Sequence, residues 1–353
     1  AQAEKIRAAL LDTLWIAHKG YMGQYKEQGG HQRVHEDSWL GAIFLPIETG
    51  LLDLEHAAQS LYYTEWALQR VFLPFGGNRC WMSNWVPAPW STRELHPGDD
   101  YALALAYFRA GLAEEGWDLL KGNYLASMYR GVVPGGLASA HCGTDFSDIL
   151  SMFCRVVVEG LFGYQPDYPA GKVRIAPQFP AAWDKGSIKT PDVEIHFHSE
   201  GETMEWNVTL AREARIQLDL PVRATAISKV EVNGTPAQWS ARSGFGCSIV
   251  RIEVDACQKV IVRVELESIA AVNHAISLTG DVGQSVRLTC DTGAITEFHD
   301  PQSVLTNASL TDGRVDAQIA HHAGYHSIIA TIAIGELTQL RMFKIHICDP
   351  DAE

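Results

Sequence analysis

The sequence predicts a chain of two characters: α-helical hairpins to residue 165, then antiparallel β-sandwich structure to the end. Three observations carry this. Before residue 165, apolar residues recur at helical spacing between Gly-rich turns. Tyr164–Gly171 is a turn-rich linker with two prolines. From Lys172 the apolar period falls to two. At 353 residues, two or three domains are expected. The pattern divides the chain at 1–165, 166–267 and 268–353, the last as a smaller β-unit.

The elements follow in order. Ile6, Leu10, Leu14 and Ile16 predict a first helix over 3–18. A polar, Gly-rich loop covers 19–38, an apolar run resumes at Trp39, and 54–72 reads as helix. Pro97-Gly98-Asp99 opens a helix that Gly111 ends, and 113–129 folds back on it as a hairpin. After the loop 131–143, Thr144 or Asp145 caps a helix over 146–162, where Cys154 is expected to be buried. The strand signals are Val173/Ile175, 193–197, 204–210, 216–220, 230–232, 249–252 and 260–264, with Asn233-Gly234 as a hairpin turn. Further strands are expected at 286–290, 314–319, 325–332 and 337–347.

A net charge of -14 without basic patches argues against nucleic acid or an anionic membrane as partner. No apolar run reaches the ~18 residues of a membrane span. The seven cysteines form no CxxC pair and show no metal-ligand spacing, although Cys247 and Cys257 are a possible bridge. Nucleotide and metalloprotease motifs are missing, so no cofactor and no metal are expected. His196 and His198 alternate on one strand face, but no third ligand is evident. The chain begins in helical sequence without Met, so an upstream segment is expected, with a periplasmic or secreted location; a cytoplasmic one stays open.

The stretch 78–101 fits no simple period. It gathers Trp81, Trp85 and Trp90 around Asn84, Arg93, Glu94, His96, Asp99 and Asp100. Aromatic faces stack on the C–H faces of sugars, while carboxylates, amides and guanidinium groups bind their hydroxyls.

His35-Glu-Asp-Ser-Trp39, Ser83-Asn-Trp-Val-Pro87, Val157–Tyr164 and Pro177–Trp183 resemble a bacterial family of glycoside hydrolases in the six-hairpin glycosidase superfamily. The resemblance covers residues 30 to 185 well and the rest loosely. It implies an α/α toroid of helical hairpins followed by a β-domain that buttresses it. This chain would hold about half the toroid, completed by a missing N-terminal segment or a second chain. It also implies an oligo- or polysaccharide substrate held at one mouth of the ring.

Glycosidic cleavage needs an acid for the leaving oxygen and a second carboxylate opposite. Matching loops offer Glu36, Asp37, Asp99, Asp100 and Asp145 as catalytic candidates, with inversion implied by the resemblance. Adjacent carboxylates such as Glu36 and Asp37 repel, which raises one pKa toward the acid range. Each also has a plain structural role: Asp99, Asp100 and Asp145 stand where helix caps belong, and Asp148 suits the helix dipole. Glu48 and Glu65 read as ion-pair partners, and Glu159 as a structural residue that holds the linker. His35, His96 and His141, one per loop, are candidate hydroxyl contacts with Trp81, Asn84, Trp85, Trp90 and Arg93. Arg33 and Arg79 are weaker candidates. Two rivals stay open: a polysaccharide lyase using His96, His141 or Tyr101 as base beside Asn84 and Arg93, and a non-catalytic sugar-binding chain.

Overall fold

The structure, a computed structural model, describes residues 2–85, 93–126, 147–320 and 322–349, and of Ser147, Asp148 and Leu150 only the backbone. Asp145, Trp90 and His141 therefore lie outside the described residues. The fold is mixed, with helices in one compact unit, Ala1–Leu161, and several sheets in a second, Phe162–Glu353.

In the first unit, α1 (Gln2–Leu14) leads into the two-residue strands β1 (Trp15–Ile16) and β2 (Tyr21–Met22). Then come α2 (Leu40–Glu48) and α3 (Leu54–Trp66), whose first turn is capped by the Asp53 carboxylate accepting from the His56 amide. A small hairpin, β3 (Arg70–Phe72) with β4 (Asn78–Cys80), precedes α4 (Pro97–Arg109). Gly111, at φ +75°, turns the chain back into α5 (Ala113–Tyr124). Beyond lies α6 (Ser147–Arg155), continued as a π-helical turn over Val156–Leu161.

Helix α4 is the centre of this unit. Every residue from Tyr101 to Phe108 is buried, so the helix has no solvent stripe. It packs on α2, α5 and α6. Helices α2, α4 and α6 also run the same way. At one end the Leu40 amide, opening α2, donates to the Met82 carbonyl, and the Met82 amide to that of Glu94, just ahead of α4. Gly98 of α4 lies beside Ile149 of α6. At the other end, Arg155 donates to Glu48 at 2.6 Å and to Glu159 at 3.2 Å, and Arg109 to Glu159 at 3.1 Å. These ion pairs tie the three C-terminal ends together. Burial raises the Glu48 pKa even against the pull of Arg155.

Three local expectations need correction. The helix expected over 54–72 stops at Trp66, because the Arg70 guanidinium is taken up by Thr64, Asn78 and Tyr107, which pulls 70–72 into a strand. Residues 78–80 of the supposed loop are its partner. Cys154 is exposed, since it sits five residues, about 140° around a helix, from the inward Ile149.

The second unit opens with a nine-stranded sheet. Its strands are β5 (Tyr164–Asp167), β6 (Lys172–Ile175), β7 (Lys185–Lys189), β8 (Val193–Glu200), β9 (Thr203–Val222), β10 (Ile227–Val232), β11 (Thr235–Pro236), β12 (Trp239–Gly244) and β13 (Cys247–Leu266). The separate strands expected at 204–210 and 216–220 are one continuous strand, β9, and likewise 249–264 in β13. A bulge between Val254 and Lys259 lets β13 stay paired with β9. Cys247 and Cys257 are therefore ten positions apart on one strand, about 33 Å when extended, and both are free. Asn233 and Gly234, both at positive φ, turn β10 into β11 as expected. Buried Asp219 binds Arg174 at 2.6 Å and Arg251 at 2.7 Å.

Residues 275–348 form two further sheets. One holds β14 (Ala275–Asp281), β16 (Ala294–His299), β19 (Gly324–Ile334) and β20 (Leu337–Cys348). The other holds β15 (Ser285–Leu288), β17 (Leu305–Thr311) and β18 (Arg314–Ile319). Leu288, Ile295, Val315, Ile319, Ile328 and Ile332 are buried in their shared core. The pairing is not wholly antiparallel: β14 runs parallel to β20, and β6 to β9.

Candidate functional site

The loops before α2 and α4 meet. Trp85 Nε1 donates to the Asp37 carbonyl at 3.0 Å, which joins the 31–38 loop to the 78–85 segment. Beneath them, the Tyr63 hydroxyl accepts from the Ser38 amide at 3.0 Å and donates to the Ser38 carbonyl at 3.1 Å. Ser38 Oγ donates to the Met22 carbonyl, and the Trp39 amide to Gln24 Oε1 at 3.0 Å. The backbone of Asp37 is thus held from both sides while its side chain stays exposed. That carboxylate has no hydrogen bond or ion pair with any described residue. Burial raises the pKa of Tyr21, and the charges of Tyr63, Glu36 and Asp37 add to it.

The other candidates fall into three groups. Glu36 is exposed and paired with Lys19. His35 lies 3.1 Å from Glu27 and stacks on Tyr25, with ring centroids 4.1 Å apart. Asn84 donates to the Ala67 carbonyl at the end of α3. Arg93 donates to Gln69 Oε1 at 3.2 Å and lies over the Trp81 ring, 5.5 Å from its centroid. Trp81 Nε1 is buried with no acceptor among the described residues.

His96 and Asp99 form a pair in the first turn of α4. His96 Nδ1 is 2.7 Å from Asp99 Oδ2 and 3.4 Å from the Asp99 amide nitrogen. One nitrogen cannot donate to the first and accept from the second. The shorter contact, to a charged acceptor, assigns the Nδ1 proton to the carboxylate and leaves Nε2 as the basic atom.

Asp100 stands apart. It is wholly buried, accepts from the Cys80 amide at 3.1 Å and lies 3.7 Å from Arg79. Burial pushes its carboxyl up to about 6, against the opposing pull of Arg79 and Arg70. Arg79 itself donates to Asn123 at 2.9 Å and to the Leu95 carbonyl, so both residues brace α4 against β4 and α5. Tyr101, also buried, lies beside Phe153.

Pattern reasoning passed over the loop-holding residues Tyr63, Ser38 and Gln24. Their signal is tertiary: Tyr63 lies on α3, 25 positions from Ser38. It also passed over a hollow of about 260 Å³ lined by Arg70, Phe72, Asn78, Tyr107, Glu115 and Asp118 with Glu65. Glu65, expected in an ion pair, faces the Tyr107 hydroxyl at 3.5 Å. On the β8 face, His196 is 2.9 Å from Glu194 and His198 is 3.8 Å from Glu200. Among the described residues no group of three His, Cys, Asp or Glu is placed to hold a metal ion, and no helix is long and apolar enough to cross a membrane.

No protein-family model matches the chain, and no curated protein does. Among solved structures, an α-L-rhamnosidase from Dictyoglumus thermophilum is similar over 74% of this chain and 28% of its own, at 12% identity and a TM-score of 0.43. The GH127 β-L-arabinofuranosidase Ara127N-Se from Geobacillus Stearothermophilus T6 is similar over 88% of this chain and 59% of its own, at 11% identity and a TM-score of 0.31. The tandem Ig repeats of Dlar cover 42% of this chain and 90% of their own, at 14% identity and a TM-score of 0.18. The chain spans less than two thirds of the length of either glycosidase. At TM-scores below 0.5 these likenesses decide neither fold nor activity.

Proposed function

We propose that the chain is part of a carbohydrate-active hydrolase of six-hairpin type, which binds an oligo- or polysaccharide at the mouth formed by the starts of α2, α4 and α6. One observation carries the reading: the three parallel helices begin at one end, where Asp37 is exposed on a loop pinned by Trp85 and Tyr63. Parallel inner helices, each reached through a long loop, are what a segment of an α/α toroid requires. The sequence resemblance independently puts the sugar at this mouth.

Asp37 is the first carboxylate of the pair, because its backbone is fixed and its side chain is open to a ligand. Asp145 is the second; in sequence it stands two positions before Ser147, where α6 begins, and the first turn of α6 lies against that of α4. Glu36 is a weaker candidate, since its carboxylate is engaged by Lys19. Trp81, Trp85 and Arg93 are the aromatic and basic wall, with Asn84 and His35 as further hydroxyl contacts. Asp100 acts from behind by holding Cys80 and Arg79. The proposed location is outside the cytoplasm.

The test is release of reducing ends from a panel of plant and bacterial glycans, measured on the protein with its native flanking sequence. Asp37→Asn and Asp145→Asn should each lower turnover by on the order of a thousand-fold with sugar binding kept. Full activity in both variants overturns the assignment.

The lyase reading keeps one specific support, the His96–Asp99 pair, whose oriented Nε2 suits proton abstraction. A product absorbing in the ultraviolet, lost in His96→Gln, would favour it over hydrolysis.

A further inference from the structure

We infer that the β-rich unit carries a pocket for a small monocarboxylate, an acid with a short alkyl tail. None of its residues belongs to the proposed cleavage mouth, and the inference does not rest on that reading.

A hollow of about 130 Å³ opens among β8, β9 and the turn at Phe179–Trp183. Three residues of its wall carry donors that meet no acceptor among the described residues. Trp206 is 1% exposed, and its Nε1–H is buried without a hydrogen bond. Ser199 Oγ and the Arg223 guanidinium likewise make no hydrogen bond or ion pair with any described residue. The frame around them is fixed. Phe197 and Phe179 stack on the indole, with centroids 4.3 Å and 5.6 Å away, so the stack holds the ring and leaves only its N–H to a ligand. The Ser199 amide donates to the Asp184 carbonyl at 2.7 Å, and the Ala270 amide to the Arg223 carbonyl at 3.0 Å. A buried donor left unmade is costly. Three donors on the wall of one small hollow point to a ligand that brings acceptor oxygens.

Charge and size set the class. Arg223 is the only charged residue on the wall. One guanidinium balances one negative charge, and its planar fork matches a carboxylate. A phosphate or sulfate dianion would leave charge uncompensated beside Met204, Pro221, Leu266 and Ile269. A cavity of about 150 Å³ takes benzene, so this hollow takes about five or six heavy atoms. The carboxylate is about half of these, which leaves about two or three carbons of tail to lie against the same apolar side chains. Propionate and butyrate meet this description, and a sugar ring does not.

The experiment is an NMR titration of the isotopically labelled full chain with butyrate, butyramide, benzoate and inorganic phosphate. It follows the indole N–H signal that Trp206→Phe removes. Butyrate should shift that signal and bind at least about tenfold more tightly than butyramide, its neutral counterpart. Arg223→Gln should abolish the preference, and Ser199→Ala should weaken butyrate binding about threefold, with circular dichroism confirming that each variant is folded. Benzoate, too large for the hollow, should bind more weakly than butyrate. Asp37→Asn should leave butyrate binding unchanged, which separates the pocket from the cleavage mouth. No shift with butyrate, equal affinity for butyramide, or tighter binding of benzoate or phosphate would overturn the inference.

Discussion

Asp37 and Asp100 show how one residue type reaches opposite roles by burial. Both stand in polar stretches that read alike. Asp37 projects from a pinned loop, whereas Asp100 is sealed under the first turn of α4. Asp100 has a folded-state pKa of about 6 against an ordinary value of 3.8. The folded state therefore binds more protons between about pH 4 and pH 6, and stability falls as pH rises through that window. The expected loss is about 3 kcal/mol at most. Asp100→Asn should flatten this slope in urea unfolding at pH 4, 5, 6 and 7; an unchanged slope would show that the carboxyl is not held protonated. Asp219 has the reverse sign. Its burial raises the pKa, and Arg251 and Arg174 more than reverse that. Its stabilisation is present above the ordinary carboxylate range and is lost as pH falls through the depressed folded value. Asp219→Ala should cost about 3 kcal/mol, the low end for a broken buried pair because both guanidiniums are partly solvated.

At the scale of elements, two devices hold the framework. The ion cluster of Glu48, Arg109, Arg155 and Glu159 fixes the C-terminal ends of α2, α4 and α6, and so fixes their starts. Arg155→Met leaves Glu48 buried without its partner, and should lower the melting temperature by several degrees, about 2 kcal/mol of stability. Retention of the wild-type melting temperature would remove the cluster from the account. Gly163, at φ +68°, ends the helical turn, and a Cβ there would meet the Ala176 and Pro177 backbone. Gly163→Ala should destabilise by at least about 2 kcal/mol in the same assay.

Across the molecule, the change from helical to alternating pattern near residue 165 was readable because periodicity is local. The six helices before Val156 and the long strands after Lys172 among the described residues follow that change. What the pattern missed is long-range. The β3–β4 hairpin forms because Arg70 meets Tyr107, 37 positions away, and no window of sequence records that contact. The 20-residue strands β9 and β13 hide as pairs of short runs, because each has exposed residues mid-strand. The candidate site was read from composition: tryptophans beside carboxylates singled out the loops that Trp85 and Asp37 join. It was not legible as geometry, since neither the burial of Asp100 nor the holding of Asp37 by Trp85 and of Ser38 by Tyr63 has a spacing signature.

The central claim is that the starts of α2, α4 and α6 make one mouth that grips a sugar between carboxylates. A crystal structure of the protein with a bound oligosaccharide tests it most directly. A sugar ring within about 3.5 Å of the Asp37 and Asp145 carboxylates, stacked on Trp85 or Trp81, is the predicted result. Saccharide bound only elsewhere, or Asp145 turned away from Asp37, would contradict it.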